Sequence, residues 1–201
     1  MKVMATPRGT LFVAIMLVAV FILESMLGVA GNERALVPLG ALSTRDWSAV
    51  DWWRILTFSL LHLTWWHLTV DTVGLLWLGG IVERRLGSAA FATIIIGAAA
   101  ASGAAGMLLG RFLTTSGVAV GSSGVVFGLL AAALMLVFVR PSHSTEADQR
   151  LRRPLLICLI ALTAISFLPN VSLAGHLGGF AGGALTASMF TSSALRRTGS
   201  W

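Results

Sequence analysis

Six apolar runs, near residues 10–30, 56–82, 89–110, 118–139, 154–173 and 173–193, occupy most of this 201-residue chain and constrain it more than any other feature. A helix needs roughly 20 apolar residues to cross a bilayer core about 30 Å thick. Each run is long enough to span, and the remainder suffices only for connections. The runs are continuous rather than alternating, which excludes the lipid-facing strands of a β-barrel. Only 11% of the residues are charged, against roughly 25% in soluble domains, which excludes a water-soluble globule. The expected architecture is an all-α integral membrane bundle of six transmembrane helices, one domain over residues 1–201.

The 14 basic and 8 acidic residues leave a net charge of +6. In a soluble protein this excess would suggest nucleic acid, but here the basic residues cluster between apolar runs, where they set topology. With the N-terminus in the cytoplasm, Lys2, Arg8, Arg84, Arg85, Arg140, Arg150, Arg152, Arg153, Arg196 and Arg197 fall inside, and Arg34, Arg45, Arg54 and Arg111 outside. Gly28-Val29-Ala30 resembles a signal-peptide cleavage site, yet the run before it exceeds the usual 7–15-residue signal core, so a retained helix is the expectation. Cys158 is the single cysteine and excludes an internal disulfide. The first connection, about 31–55, carries Trp47, Trp52 and Trp53 and is expected to lie partly in the headgroup layer. The stretch Arg140–Arg153 reads as a solvated cytoplasmic loop in which His143 has no catalytic part. Arginine outnumbers lysine 13 to 1, and with abundant alanine this suits a bacterial inner membrane.

The chemistry concentrates in three runs. His62, His67 and Asp71 fall in the second, with His67 and Asp71 four apart on one helix face. Ionisable groups inside a membrane are costly and face the bundle interior or a water-filled cavity. The fourth run opens Gly121-Ser122-Ser123-Gly124, which puts a serine in a first helical turn beside free amides and the positive dipole end. For that serine alone, helix packing is the simpler reading. The sixth run opens Ala174-Gly175-His176 and continues with Gly179 and Gly183, a smooth face expected to meet Gly124 and Gly128 of the fourth at short distance. These three helices all run from outside to inside, and His67, Ser123 and His176 fall in their outer thirds, at similar depth. A serine and a histidine at one depth on adjacent helices are a candidate nucleophile and base.

The order and spacing of W-R-I-L-T (Trp53 to Thr57), the His62, His67, Asp71 run, G-I-V-E-R-R-L-G (Gly80 to Gly87), G-S-S-G and H-x2-G-x3-G resemble the rhomboid intramembrane serine proteases over nearly the whole chain, in their six-helix form. The resemblance implies that Ser123 is the nucleophile and His176 its general base and acid, without a third acidic member. It also implies an oxyanion-site role for His67, a packing role for Phe127 on the imidazole, and supporting positions for His62 and Gly121. The first loop would be the family's outer loop, with Arg54 the arginine of its Trp-Arg pair. Asp71 stands where the family usually has asparagine. A protonated Asp71 would donate an O–H to the oxyanion, whereas an ionised Asp71 would pair with a protonated His67. Desolvation of two charges disfavours the pair, so the neutral acid is preferred.

The implied partners are transmembrane protein substrates and the lipid bilayer, with no nucleic acid, no cofactor and no metal. The substrate helix must unwind locally, because its carbonyls are otherwise spent in its own hydrogen bonds. Two alternatives remain at this stage. A rhomboid-like pseudoprotease would bind transmembrane helices without cutting them, and the Asp71 departure favours it. A small transporter would use the same polar groups as a path, although the two halves of the sequence carry no evident inverted repeat.

Overall fold

The computed structural model describes residues 7–44, 48–113, 117–138 and 145–197. Lys2, Arg45, Trp47, Arg140 and His143 lie outside these. The described chain is helical apart from one two-residue strand pair. Helix α1 (Arg8–Met26) leads into an outer segment built from short pieces: α2 (Glu33–Leu36), β1 (Leu42–Ser43) and α3 (Arg54–Thr57). Then come α4 (Trp65–Gly74), a π-helical segment Leu75–Gly79, α5 (Gly80–Leu86), α6 (Ser88–Leu113), β2 (Val118–Ala119), α7 (Ser123–Phe138), α8 (Glu146–Ile165) and α9 (Leu173–Arg197). Gly74 and Gly80 keep helical dihedrals at the two ends of the π segment, so α4 and α5 form one rod.

Two boundaries depart from the sequence reading. The second apolar run is not one helix: it starts in α3 and a 3-10 turn Phe58–Leu60, breaks where Leu61 and Thr64 are extended, and the long helix begins at Trp65. One local cap and two distant contacts set the break. The Thr64 hydroxyl accepts the His67 N–H at 3.2 Å as an N-cap, while Glu24 of α1 takes the His62 N–H and the Leu63 carbonyl takes the Gly31 N–H at 2.8 Å. His62 therefore sits on an extended crossing rather than on the helix that carries His67 and Asp71. The second departure is in the stretch read as a loop. Glu146 to Arg153 form the first turns of α8, because Thr145 and Asp148 close a capping box. That helix stops at Ile165, and the chain turns through Asn170, whose φ is +63°.

Helix α7 is the centre of the bundle, with Val125 to Ala133 all buried. Its 16 described residues amount to roughly 24 Å at 1.5 Å per residue. Large apolar side chains point outward from α1 and α6, among them Phe12, Ile15, Ile22, Ile96 and Leu108. By length and composition α1 and residues 88–110 of α6 can each cross a membrane. Lipid is as apolar as leucine, so close van der Waals contact, rather than exclusion of water, must hold the helices together. Glycine supplies that contact between α7 and α9. A Cβ built on Gly128 would stand 2.9 Å from the Gly179 carbonyl and 3.3 Å from Gly183 Cα.

The other polar tie is at the opposite end of the bundle. The Glu83 carboxylate of α5 accepts the Gly9 N–H at 2.8 Å, the Thr10 N–H at 2.7 Å and the Thr10 hydroxyl at 2.8 Å. It caps the N-terminus of α1, which starts behind Pro7 with no side-chain cap of its own.

Candidate active site

Three helix N-termini converge on one cavity of about 360 Å³, whose lining includes His67, Asp71, Gly121, Ser123 and His176. Ser123 is the first residue of α7, His176 lies in the first turn of α9 and His67 in the first turn of α4. The free amides and positive dipole ends of these turns all face a common space, a field that favours negative charge. From this cavity the lining continues along Val70 and Gly74 of α4 and Cys158 and Leu162 of α8.

The approach to Ser123 is fixed by a turn. Leu42 pairs with Ala119 and Ser43 with Val118, antiparallel, which ties the segment before α7 to the outer segment. Gly121 then takes φ +114° and donates its N–H to the Phe58 carbonyl at 3.0 Å. Glycine is required here twice over, by the left-handed backbone and by space, since a Cβ would stand 2.5 Å from His67 Cε1 and Nε2.

The His176 imidazole is held on three sides. Its Nε2 lies 2.9 Å from Ser123 Oγ, its Nδ1 2.7 Å from Ser166 Oγ, and its ring stacks on Phe127 with centroids 4.3 Å apart and planes 18° from parallel. The glycine contacts bring α7 and α9 close enough for the first of these. Ser166 caps the end of α8 and is buried.

Beside this pair, Asp71 Oδ2 gathers three groups: the Ser122 hydroxyl, which donates to it at 3.1 Å, His62 Nε2 at 3.3 Å and His67 Nε2 at 3.5 Å. Asp71 and His62 are buried, whereas His67 keeps a third of its side chain exposed toward the cavity. Asp71 Oδ2 is thus shared by three neighbouring side chains. In the outer segment Arg54 donates from Nε to Asp51 at 2.8 Å and from Nη1 to the Ala41 and Val37 carbonyls, and it packs over the Trp53 ring. The Arg54 guanidinium holds the Asp51 carboxyl below the usual carboxylate range.

Of the site residues read from the sequence, His67, Asp71, Gly121, Ser123, Phe127 and His176 line this cavity, His62 sits behind Asp71, and Gly124, Gly128, Gly179 and Gly183 lie in the contact between α7 and α9. The sequence reading missed two. Glu24 is a lone acid inside an apolar helix, and by the cost of intramembrane charge it should have been flagged. Ser166 carried no such signal, because a serine after an apolar run looks like any turn residue.

A family profile described as "Rhomboid domain" matches residues 49–193, which takes in all of these side chains except Glu24. The chain belongs to the rhomboid family. Rhomboid protease GluP of Bacillus subtilis is 30% identical over 179 residues, covering 89% of this chain and 34% of that protein. The putative rhomboid protease YdcA of the same organism is 30% identical over 149 residues, 73% of this chain and 71% of its own length. Human Rhomboid-related protein 4 is 32% identical over 165 residues, 73% of this chain and 47% of that protein. This rhomboid chain thus spans about a third of GluP but most of YdcA. Rhomboids are integral membrane proteins, and the all-α bundle with its apolar outer faces is that of the family.

Proposed function

We propose that this rhomboid is an intramembrane serine endopeptidase that cleaves transmembrane segments near the outer membrane face with a Ser123–His176 dyad. The observation that carries this reading is the 2.9 Å contact between His176 Nε2 and Ser123 Oγ at the floor of a cavity. As Ser123 Oγ attacks the scissile carbonyl carbon, His176 Nε2 takes its proton, and the carbonyl oxygen becomes an oxyanion. The Ser123 N–H and the His67 side chain are the donors offered to that oxyanion, supported by the converging helix dipoles. His176 then returns the proton to the leaving amine. A water from the cavity attacks the acyl-Ser123 ester in the second half, giving its proton to His176, which returns it to Ser123 Oγ as the new carboxyl terminus leaves.

Substrates are transmembrane proteins whose helix unwinds near the outer surface. Basic-residue placement supports a cytoplasmic N-terminus, and the arginine-over-lysine bias suits a bacterial inner membrane. The test is cleavage of a transmembrane reporter in proteoliposomes together with labelling by a serine-reactive fluorophosphonate. Both should occur in the wild type and vanish in Ser123→Ala. A wild type that binds the reporter without cutting it would instead make the protein a pseudoprotease.

A further inference from the structure

The imidazole of His176 has a partner on each nitrogen, and the chemistry of those partners fixes where its proton sits. Ser166 Oγ lies 2.8 Å from the Leu162 carbonyl oxygen one turn back in α8 and 2.7 Å from His176 Nδ1. A carbonyl oxygen has no proton to give, so the contact with Leu162 forms only if the Ser166 hydroxyl donates to it. The hydroxyl has a single hydrogen. Once that hydrogen points at Leu162, what faces His176 is a lone pair, and the 2.7 Å contact requires an N–H on Nδ1. A neutral imidazole carries one N–H, so Nε2 is left bare, 2.9 Å from Ser123 Oγ.

We infer that Ser166 is a positioning residue that holds His176 in the Nδ1–H tautomer, so that a bare Nε2 faces the Ser123 hydroxyl. This deepens the proposed serine peptidase reading and rests on it for its catalytic consequence. The opposite tautomer would point Nε2–H at Ser123 Oγ, and the imidazole then has no lone pair to receive the serine proton. In serine enzymes with a third, acidic member, a carboxylate orients the histidine and steadies the imidazolium. Here a neutral hydroxyl backed by a peptide carbonyl does the orienting, and it costs no buried charge. When His176 takes the proton from Ser123, its Nδ1–H already has an acceptor, so nothing has to turn during the step.

The surroundings leave Ser166 little freedom to reverse the arrangement. It is 3% exposed, and its own N–H is bound to the carbonyls of Leu162 and Thr163, both at 3.1 Å. Phe127 stacks on one face of the His176 ring and holds its plane.

The test combines ring ¹⁵N spectra of histidine-labelled protein with kinetics, at a pH where the imidazole is neutral and with His176→Gln used to assign the signals. Wild type should show a protonated Nδ1 and a bare Nε2 at His176. Ser166→Ala removes only the oxygen, and should mix the two tautomers and lower kcat for the reporter about tenfold, as the loss of one buried hydrogen bond implies, with KM unchanged. Ser166→Thr keeps the hydroxyl and should restore both readouts toward wild type. A wild-type spectrum with Nε2 protonated overturns the assignment. So does a Ser166→Ala protein whose His176 signals and kcat match wild type. The spectra do not depend on turnover: if the wild type fails to cleave while the Nδ1–H signal is present and lost in Ser166→Ala, the peptidase reading falls and the tautomer assignment stands.

Discussion

Gly179 of α9 sits directly on Gly124 of α7, one residue after the nucleophile candidate, so that a Cβ on Gly179 would lie 2.7 Å from the Gly124 carbonyl carbon and 2.8 Å from its Cα. Those atoms are backbone and cannot rotate aside. Gly179→Ala must therefore push α9 from α7 and carry His176 away from Ser123. A displacement near 1 Å costs on the order of 100-fold in rate, and the variant should lose that much kcat in the reporter assay. Gly28→Ala is the contrasting case, because a Cβ there meets nothing within 4 Å. It carries only the backbone strain of φ +69° and should leave cleavage near wild type.

Ser123 and His176 are expected to act as one unit. Each is useless to proton transfer without the other, so Ser123→Ala, His176→Ala and the double variant should have about the same residual rate. Losses that multiply in the double variant would mean that the two residues contribute separately and that the 2.9 Å contact is not the reacting pair.

Glu83 should govern stability rather than chemistry. It takes three hydrogen bonds from Gly9 and Thr10 and a fourth from the Ser88 hydroxyl at 2.6 Å. Glu83→Ala leaves the first turn of α1 uncapped and buried. An orphaned buried donor costs about 1–3 kcal/mol, so the variant should melt at clearly lower temperature in detergent, with Glu83→Gln intermediate. The kcat of the protein that stays folded should be unchanged, since the carboxylate is at the far end of the bundle.

What the sequence carried and what it did not follow from the range of the interactions. The glycine faces are periodic, local properties, and the α7–α9 contact is built on them. The start of α4 was not legible, because His62 is drawn off the helix by Glu24, which is 38 residues away. Nor was the start of α8, where a capping box recruits charged residues that composition alone assigns to a loop. Ser166 becomes informative only when the α8–α9 turn folds it onto His176.

Asp148 gives the fold a pH dependence outside the membrane-spanning part. Burial pushes its carboxyl up, but the Thr145 N–H and hydroxyl and the Arg85 guanidinium at 2.6 Å outweigh this and hold it below the usual carboxylate range. A carboxyl depressed by folding stabilises the protein above its unfolded value, and that contribution is lost as the pH falls through the folded one. Thermal melts should show Asp148→Asn less stable than wild type at neutral pH, with the difference closing in acid. A constant difference across the range would mean that the Arg85 contact contributes nothing through charge.

The part of Asp71 can be argued from its neighbours. Its Oδ2 accepts from Ser122 and faces His62 and His67. His62 has no exposed surface, and its Nδ1 has no partner among the described residues; its ring bonds Asp71 and Ser122 through Nε2 and meets the His67 ring edge-on. Asp71→Asn keeps a carbonyl oxygen in the same place and should retain cleavage within about tenfold, the effect of one weakened buried hydrogen bond. Asp71→Ala removes the shared acceptor, leaves Ser122 and His62 with only their 3.3 Å contact to each other, and frees the His67 ring that lines the cavity. It should lose about 1–3 kcal/mol of stability together with kcat. If Asp71 were instead a protonated acid giving its O–H straight to the oxyanion, Asp71→Ala would lose kcat while its melting temperature stayed at the wild-type value. Melting and kinetics measured on the same two variants therefore separate an anchor for His67 from a direct donor.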